Sequence, residues 1–399
     1  MSDAGWAALC DGPLRDAALG TIAEIADALR EIRVADSTLT GHAGIALLYG
    51  YLRRTDGDDR WDAPLMFHLE QALDGAARDP LPPGLYGGFA GTAWVVAHEI
   101  DDDGSADIDL ALGELVARPW HGPYDLIGGL VGLAVYALER LPRPAAVEQL
   151  SHIVDRLGEL ARPTATGLTW WSDPRFIGPA RHDHADGYYN LGLAHGVPGV
   201  IAVLGHVCGL AATRDRARPL LDGAVRWLLA QRRGDGADSS FAHLAGEASD
   251  SRTAWCYGDP GVAIALLGAA RRVGEPAWER AAIAIALRAA ARPLDRTGVS
   301  DAGLCHGAAG VAHIFNRLYQ ATGRAELADA ARRYVAYTLA LRRPGIGIAG
   351  YLADEVGDDP DTCATSQADL LTGAAGIALA LLAAATAVEP RWDRVLLTS

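Results

Sequence analysis

The sequence predicts an all-α protein, an α/α toroid in which a double ring of seven inner and seven outer helices closes on itself. Three observations predict it. Hydrophobic residues make up 50% of the 399-residue chain, enough for a large buried core. A pattern of Gly-x-x-Gly followed by small apolar residues recurs seven times, beginning at Gly41, Gly88, Gly129, Gly196, Gly258, Gly307 and Gly373. Spacings of this size mark an array of one supersecondary unit. Each copy opens an apolar run of about three helical turns and follows an amphipathic, charged segment.

The amphipathic segments are outer helices, expected at Arg15–Ile32, Trp61–Ala76, Ser105–Ala117, Ala145–Ala161, Arg214–Arg232, Pro276–Ala291 and Arg324–Leu341. Periodic apolar residues such as Leu221, Val225, Leu228 and Leu229 support them. The runs after the glycines, such as Val262-Ala-Ile-Ala-Leu-Leu, are apolar nearly all round and read as buried inner helices. Glycine in a helix costs about 1 kcal/mol relative to alanine. Two glycines three residues apart share a helix face, so the pairs imply helix starts that crowd closely together. The unit is outer helix, loop, inner helix. An open solenoid would carry polar capping repeats at its ends. The last inner run, Gly373 to Ala385, is instead as apolar as the central ones, which favours closure. Length alone would suggest two or three domains; the repeats assign residues 1–399 to a single toroid domain.

Equivalent connections should point every inner helix the same way and ring one mouth with their N-termini. The longest connections, Arg162–Leu193, Gly234–Trp255 and Arg342–Leu371, should open on that mouth. The first carries Trp170, Trp171, Phe176, Tyr188 and Tyr189, which either touch substrate or pack as aromatics over the toroid.

The net charge of −15 argues against nucleic acid or an anionic membrane as a main partner. The N-terminus has no basic region followed by an apolar run, so no signal peptide is expected. No apolar stretch reaches the length of a membrane span. Five cysteines, Cys10, Cys208, Cys256, Cys305 and Cys363, form no disulfide framework. The expected location is the cytosol, with reduced thiols.

Aligning the repeats on their first glycine places Thr40, Gly87, Gly128, His195, Tyr257, His306 and Thr372 one position before it. Two positions before it stand Leu39, Tyr86, Ile127, Ala194, Cys256, Cys305 and Leu371. Reactive side chains thus cluster in repeats four to six. Cys256 and Cys305 hold the same slot on consecutive helices, with His306 adjacent. Two thiolates and an imidazole are a zinc donor set, and three protein ligands leave a fourth position open, as in catalytic sites. A helix N-terminus and a metal both lower a thiol's pKa. A lone cysteine before an apolar helix is ordinarily a small buried hydrophobe, and Cys10, Cys208 and Cys363 are read that way.

The segments Ala-His195-Gly-Val-Pro-Gly, Ser-Arg252-Thr-Ala-Trp-Cys256-Tyr257-Gly-Asp-Pro-Gly and Leu-Cys305-His306-Gly-Ala-Ala-Gly resemble the signature of the lanthionine synthetase C-like proteins, the LanC-type lanthipeptide cyclases. The resemblance spans essentially the whole chain. It implies one zinc ion per chain held by Cys256, Cys305 and His306. It implies a catalytic histidine at His195, a supporting aspartate at Asp125 of Tyr-Asp-Leu-Ile-Gly-Gly-Leu-Val-Gly, and further catalytic roles for Arg252 and Tyr257. From sequence alone, Asp125 and Arg252 read equally well as surface or ion-pair residues. The implied reaction adds a cysteine thiol of a dehydrated precursor peptide to dehydroalanine or dehydrobutyrine, forming a (methyl)lanthionine ring. A stand-alone cyclase of this kind implies a separate dehydratase and a membrane transporter as partners, with peripheral membrane association through that complex. Two other readings remain: a LanC-like protein that binds or adds glutathione, and a non-catalytic zinc-stabilised scaffold. A terpene- or prenyl-transfer reading of Asp101-Asp-Asp and Asp358-Asp-Pro-Asp fails because neither run sits at a repeat slot.

Overall fold

The computed structural model describes residues 5–100, 103–176, 186–234, 236–353 and 367–399. Cys363, Asp101, Asp102 and the Asp358–Asp361 run lie outside them. Among the described residues there are fourteen α-helices. Seven outer helices are α1 (Gly12–Leu29), α3 (Asp62–Arg78), α5 (Ala106–Ala117), α7 (Pro144–Leu160), α9 (Arg214–Ala230), α11 (Pro276–Ala291) and α13 (Ala325–Ala340). Seven inner helices are α2 (His42–Asp56), α4 (Phe89–Ile100), α6 (Leu130–Glu139), α8 (Val197–Val207), α10 (Asp259–Val273), α12 (Ala308–Thr322) and α14 (Ala374–Ala385). Among the described residues the two kinds alternate in sequence. Every residue of α14 is buried, whereas α7 buries one stripe, including Leu150, Ile153, Val154 and Leu157.

The chain divides into two compact units. One comprises residues 1–82, 87–101 and 293–393, the other residues 83–86, 102–292 and 394–399. In the first, α2 packs on α3, α4 and α14, and α14 packs on α12 and α1. In the second, α8 packs on α6, α9 and α10, and α10 packs on α11. The tight hairpin is therefore inner helix followed by outer helix, joined by a short turn such as Gly274–Glu275. The sequence unit of outer then inner helix is joined by the longer loop. The displaced partner is α1, which serves the last inner helix. Trp6 Nε1 donates to Ala383 O at 2.9 Å, the Leu9 and Cys10 amides to Ala384 O at 2.9 Å each, and Arg15 Nε to Ala385 O at 2.9 Å. These are carbonyls that a helix C-terminus cannot satisfy internally.

The glycine pairs have a different cause from crowding alone. The first glycine is the helix N-cap. A Cβ on Gly41, Gly129, Gly196 or Gly258 would strike the backbone carbonyl of Asp36, Pro123, Asn190 or Arg252 in the loop just before it. A Cβ on the second glycine would meet another carbonyl of the same loop: Leu193 O at 2.6 Å for Gly199, and Leu304 O for Gly310. Neighbouring repeats approach as well: Leu370 Cβ would stand 3.0 Å from a Cβ placed on Gly44, and Leu85 Cβ 2.9 Å from one on Gly132. The loop folds back over its own helix start, and only hydrogen leaves it room.

The 162–193 connection adds four short strands to the expected all-helical chain. Strand β1 (Arg162–Thr164) pairs antiparallel with β2 (Gly167–Thr169), and β3 (Trp171–Ser172) pairs with β4 (Tyr188–Tyr189). A connection of this length buries backbone beside α9, and strand pairing satisfies part of it.

Candidate active site and metal-ligating group

Several loops before inner helices share two backbone bonds. The carbonyl six residues before the first glycine accepts the amide just after it: Pro123 O from Leu130, Asn190 O from Val197, Asp301 O from Ala308, at 3.3, 3.1 and 2.9 Å. The residue two before the glycine is tied to the next repeat. Tyr86 N donates to Ile127 O at 2.9 Å, Ala194 N to Cys256 O at 3.4 Å, and Cys305 N to Leu371 O at 2.8 Å. Cys256 takes part in such a bond through its carbonyl and Cys305 through its amide. Gly258, two residues after Cys256, has φ +129°, a conformation that L side chains rarely adopt.

Among the described residues, Cys256, Cys305 and His306 form a group that can hold a metal ion, with one ligand atom from each within 4.8 Å of the others. Cys256 is buried, the other two half-buried. Two thiolates and an imidazole around one tetrahedral zinc stand about 3.8 Å apart, from bond lengths of about 2.3 Å and 2.0 Å. The donor set and its closeness fit that ion. Asp301 Oδ2 lies 3.6 Å from His306 Nε2.

Asp125, His195 and Tyr257 come together. His195 Nδ1 lies 2.6 Å from Asp125 Oδ2, while Asp125 Oδ1 accepts the Gly128 amide at 3.1 Å. The carboxylate is thus fixed to the turn that starts α6. The His195 ring faces Tyr257 with centroids 6.3 Å apart and planes at 29°. His243 meets Tyr257 edge-on with ring centroids 5.4 Å apart. The Tyr257 hydroxyl accepts from Asn190 Nδ2 at 3.0 Å. Arg252 is exposed and does not line the cavity that these residues share.

That cavity has a volume of 560 Å³, and Asp125, His195 and Tyr257 are in its wall. Trp120, Trp171, Phe176 and Tyr188 add aromatic surface. The aromatics of the 162–193 connection therefore divide. Trp171, Phe176 and Tyr188 line the cavity, whereas Trp170 is fully buried with Nε1 donating to Leu157 O at 2.9 Å. Tyr189 stacks on Trp227 edge-on at 5.9 Å. Two cationic side chains at the wall, Arg162 and Arg175, escaped sequence reasoning, as did Asn190 and His243. Arg175 is paired with Asp173 at 2.7 Å, and Arg162 lies over the Trp171 ring at 5.1 Å.

The profile of the lanthionine synthetase C-like protein family matches residues 34–397. The chain belongs to the lanthionine synthetase C-like family. Among its relatives, glutathione S-transferase LANCL1 of Danio rerio is 27% identical over 292 residues, 71% of this chain and 69% of that protein. Nisin biosynthesis protein NisC of Lactococcus lactis subsp. lactis is 25% identical over 311 residues, 70% of this chain and 73% of that protein. The solved structure of nisin cyclase matches with a TM-score of 0.70 and 20% identity, covering 96% of this chain and 97% of that one. The lanthionine synthetase C-like chain therefore has the α/α toroid fold. Among its described residues no helix is long and apolar enough to cross a membrane.

Proposed function

We propose that this member of the family is a zinc-dependent cyclase that joins cysteine thiols to dehydroalanine or dehydrobutyrine within one precursor peptide. The observation that carries the reading is the His195–Asp125 pair in the wall of a large cavity whose Tyr257 directly follows Cys256, a member of the group that can hold a metal ion. Cys256, Cys305 and His306 would hold one zinc ion. The ion, when bound, supplies a low-pKa site for a peptide thiol.

The reaction breaks the thiol S–H bond and the C=C π bond of the dehydro residue; sulfur bonds to the β-carbon, the thiol gives up its proton, and one proton is delivered to the α-carbon. His195 is the acid for that delivery. Its Nδ1 is held by Asp125, so Nε2 is the atom that carries the mobile proton. Asp125 fixes the orientation of the ring. Tyr257 can donate to the enolate oxygen that develops on the peptide. Arg252, outside the cavity wall, suits peptide positioning rather than contact with the reacting atoms. The aromatic wall excludes water and holds an extended peptide. Residues 1–399 act as one domain in this reading. The peptide arrives from a separate dehydratase in the cytosol and leaves through a membrane transporter.

A second reading rests on the LANCL1 relative. The same site would add free glutathione to a dehydrated residue. Elemental analysis of wild type, Cys256→Ala and Cys305→Ala, with mass spectrometry of a dehydrated cysteine-containing peptide in the presence of glutathione, separates the two. One zinc per wild-type chain, lost in both variants together with ring formation, supports the cyclase. Glutathione adducts without rings support the second reading. No zinc in wild type, or rings formed equally by the variants, overturns both.

A further inference from the structure

We propose that Asn190 is a positioning residue for Tyr257, fixing its hydroxyl as a hydrogen-bond donor in the cavity; this rests on the cyclase reading above. Asn190 is completely buried. Its amide orientation is set by its partners. Oδ1 accepts the Gly192 amide at 2.8 Å, and a backbone N–H can only be met by the oxygen. The NH₂ therefore faces Tyr257, 3.0 Å from the phenol oxygen. An amide NH₂ can only donate, so the phenol oxygen accepts, and the phenol proton is directed to an acceptor other than Asn190.

The repeat gives an internal control. Asn190 stands six residues before Gly196, and Asp301 stands six before Gly307. The backbone does the same work at both. Asn190 O accepts from Val197 N, and Asp301 O from Ala308 N. The side-chain oxygen does the same work too, Asp301 Oδ1 accepting the Gly303 amide at 2.7 Å. The turn thus takes aspartate as readily as asparagine. What aspartate lacks is a donor, and a donor is what the Tyr257 oxygen meets. The choice of asparagine in repeat four therefore follows from Tyr257 and not from the fold. Asparagine rather than aspartate also avoids placing a carboxylate beside the developing enolate, where like charge would oppose it. His195 and His243 both pack on the Tyr257 ring, which leaves the hydroxyl direction to be fixed by Asn190.

Asn190→Asp keeps the shape and the turn oxygen and turns the donor into an acceptor. It should fold with unchanged zinc content. With a dehydrated cysteine-containing peptide it should lose about tenfold or more in kcat, with KM held within about twofold. The loss should vanish in a Tyr257→Phe background, where no hydroxyl is left to direct. The tyrosine Fermi doublet in the Raman difference spectrum, wild type minus Tyr257→Phe, should show a phenol whose oxygen accepts, and Asn190→Asp should shift it to a phenol that donates to the new carboxylate. That measurement needs no turnover. If wild type makes no rings, the cyclase reading fails while the doublet still decides the role of Asn190. Should Asn190→Asp not fold, Asn190→Ser retains an oxygen for Gly192 but cannot reach the phenol, and it should move the same doublet. A doublet unchanged by either variant, or an equal kcat loss with and without the Tyr257 hydroxyl, would overturn the proposal.

Discussion

Lowering the pH from about 7 to about 4.5 is expected to destabilise the protein chiefly through one pair of rings, His42 and His68. Their hydrogen bonds run in a single direction. The Val34 amide donates to His42 Nε2 at 3.4 Å, so neutral His42 carries its proton on Nδ1. That Nδ1 faces His68 Nδ1 at 2.8 Å, which must then accept, leaving the His68 proton on Nε2 to meet Leu29 O at 2.9 Å. A proton on either ring sets two donors against each other inside the core. Burial, above all, pulls both rings from 6.5 down to about 4. Between those values the unfolded chain binds protons that the folded chain does not, so stability falls as pH falls through that window and is fully present above 6.5. At about pH 4.5 the difference amounts to roughly 2–3 kcal/mol per ring. For two rings that is a large part of a total of about 5–15 kcal/mol. His206, driven by burial to about 3, acts in the same direction. Asp369, raised by burial to about 6, acts in the opposite one. The assay is therefore comparative: urea unfolding across the window for wild type and for His42→Leu/His68→Phe. The double variant should lose roughly 4–6 kcal/mol less than wild type over the same pH change. Equal losses in the two proteins would refute the assignment.

Asp125→Asn should retain zinc and fold but form rings on the order of 10²-fold more slowly, as read by timed mass spectrometry; an unchanged rate would remove Asp125 from the acid. Gly310→Ala presses a methyl group onto the Leu304 carbonyl and should lower stability by about 2–4 kcal/mol, visible in the denaturant midpoint. Asp393 is completely buried, 2.7 Å from His313 Nε2 and 3.0 Å from Arg317 Nη2. Asp393→Ala leaves the buried Arg317 cation without that counter-charge and should cost about 3–5 kcal/mol, whereas Arg391→Ala, at an exposed pair with Glu389, should cost less than about 1 kcal/mol. Cys305→Ala should abolish zinc binding in elemental analysis, with the helical circular dichroism retained.

The alternation of helices was legible because each inner helix needs glycine at two fixed places, and a backbone demand of that kind marks the sequence every time it recurs. The reason for the glycines was not legible. Sequence spacing shows that two residues share a helix face, not that Leu304 O or Asn190 O folds back upon it. The pairing of α1 with α14 was equally hidden, since neighbours in sequence are the default expectation. Within the candidate site, aligning the repeats put Cys256, Cys305, His195, His306 and Tyr257 in two adjacent slots. Asn190 sits four positions further out, and in Tyr-Tyr-Asn-Leu-Gly it reads as an ordinary turn residue. Its equivalence to Asp301 appears only when the alignment is carried to the sixth position before the glycine. Arg252 sits at the same offset in repeat five, yet it points to solvent. A slot fixes where the backbone goes, and a long side chain is free to leave it.

The bonds from Trp6, Leu9, Cys10 and Arg15 to the end of α14 have a bearing on synthesis. A ribosome releases α1 long before α14, so the apolar stripe of Ile22, Ile25 and Leu29 waits for its partner through the making of more than 300 residues (Leu29 to Ala374). At about 5–20 residues per second that interval lasts tens of seconds. Unlike an open array, which can firm up repeat by repeat, this chain has to keep α1 soluble until α14 has been made.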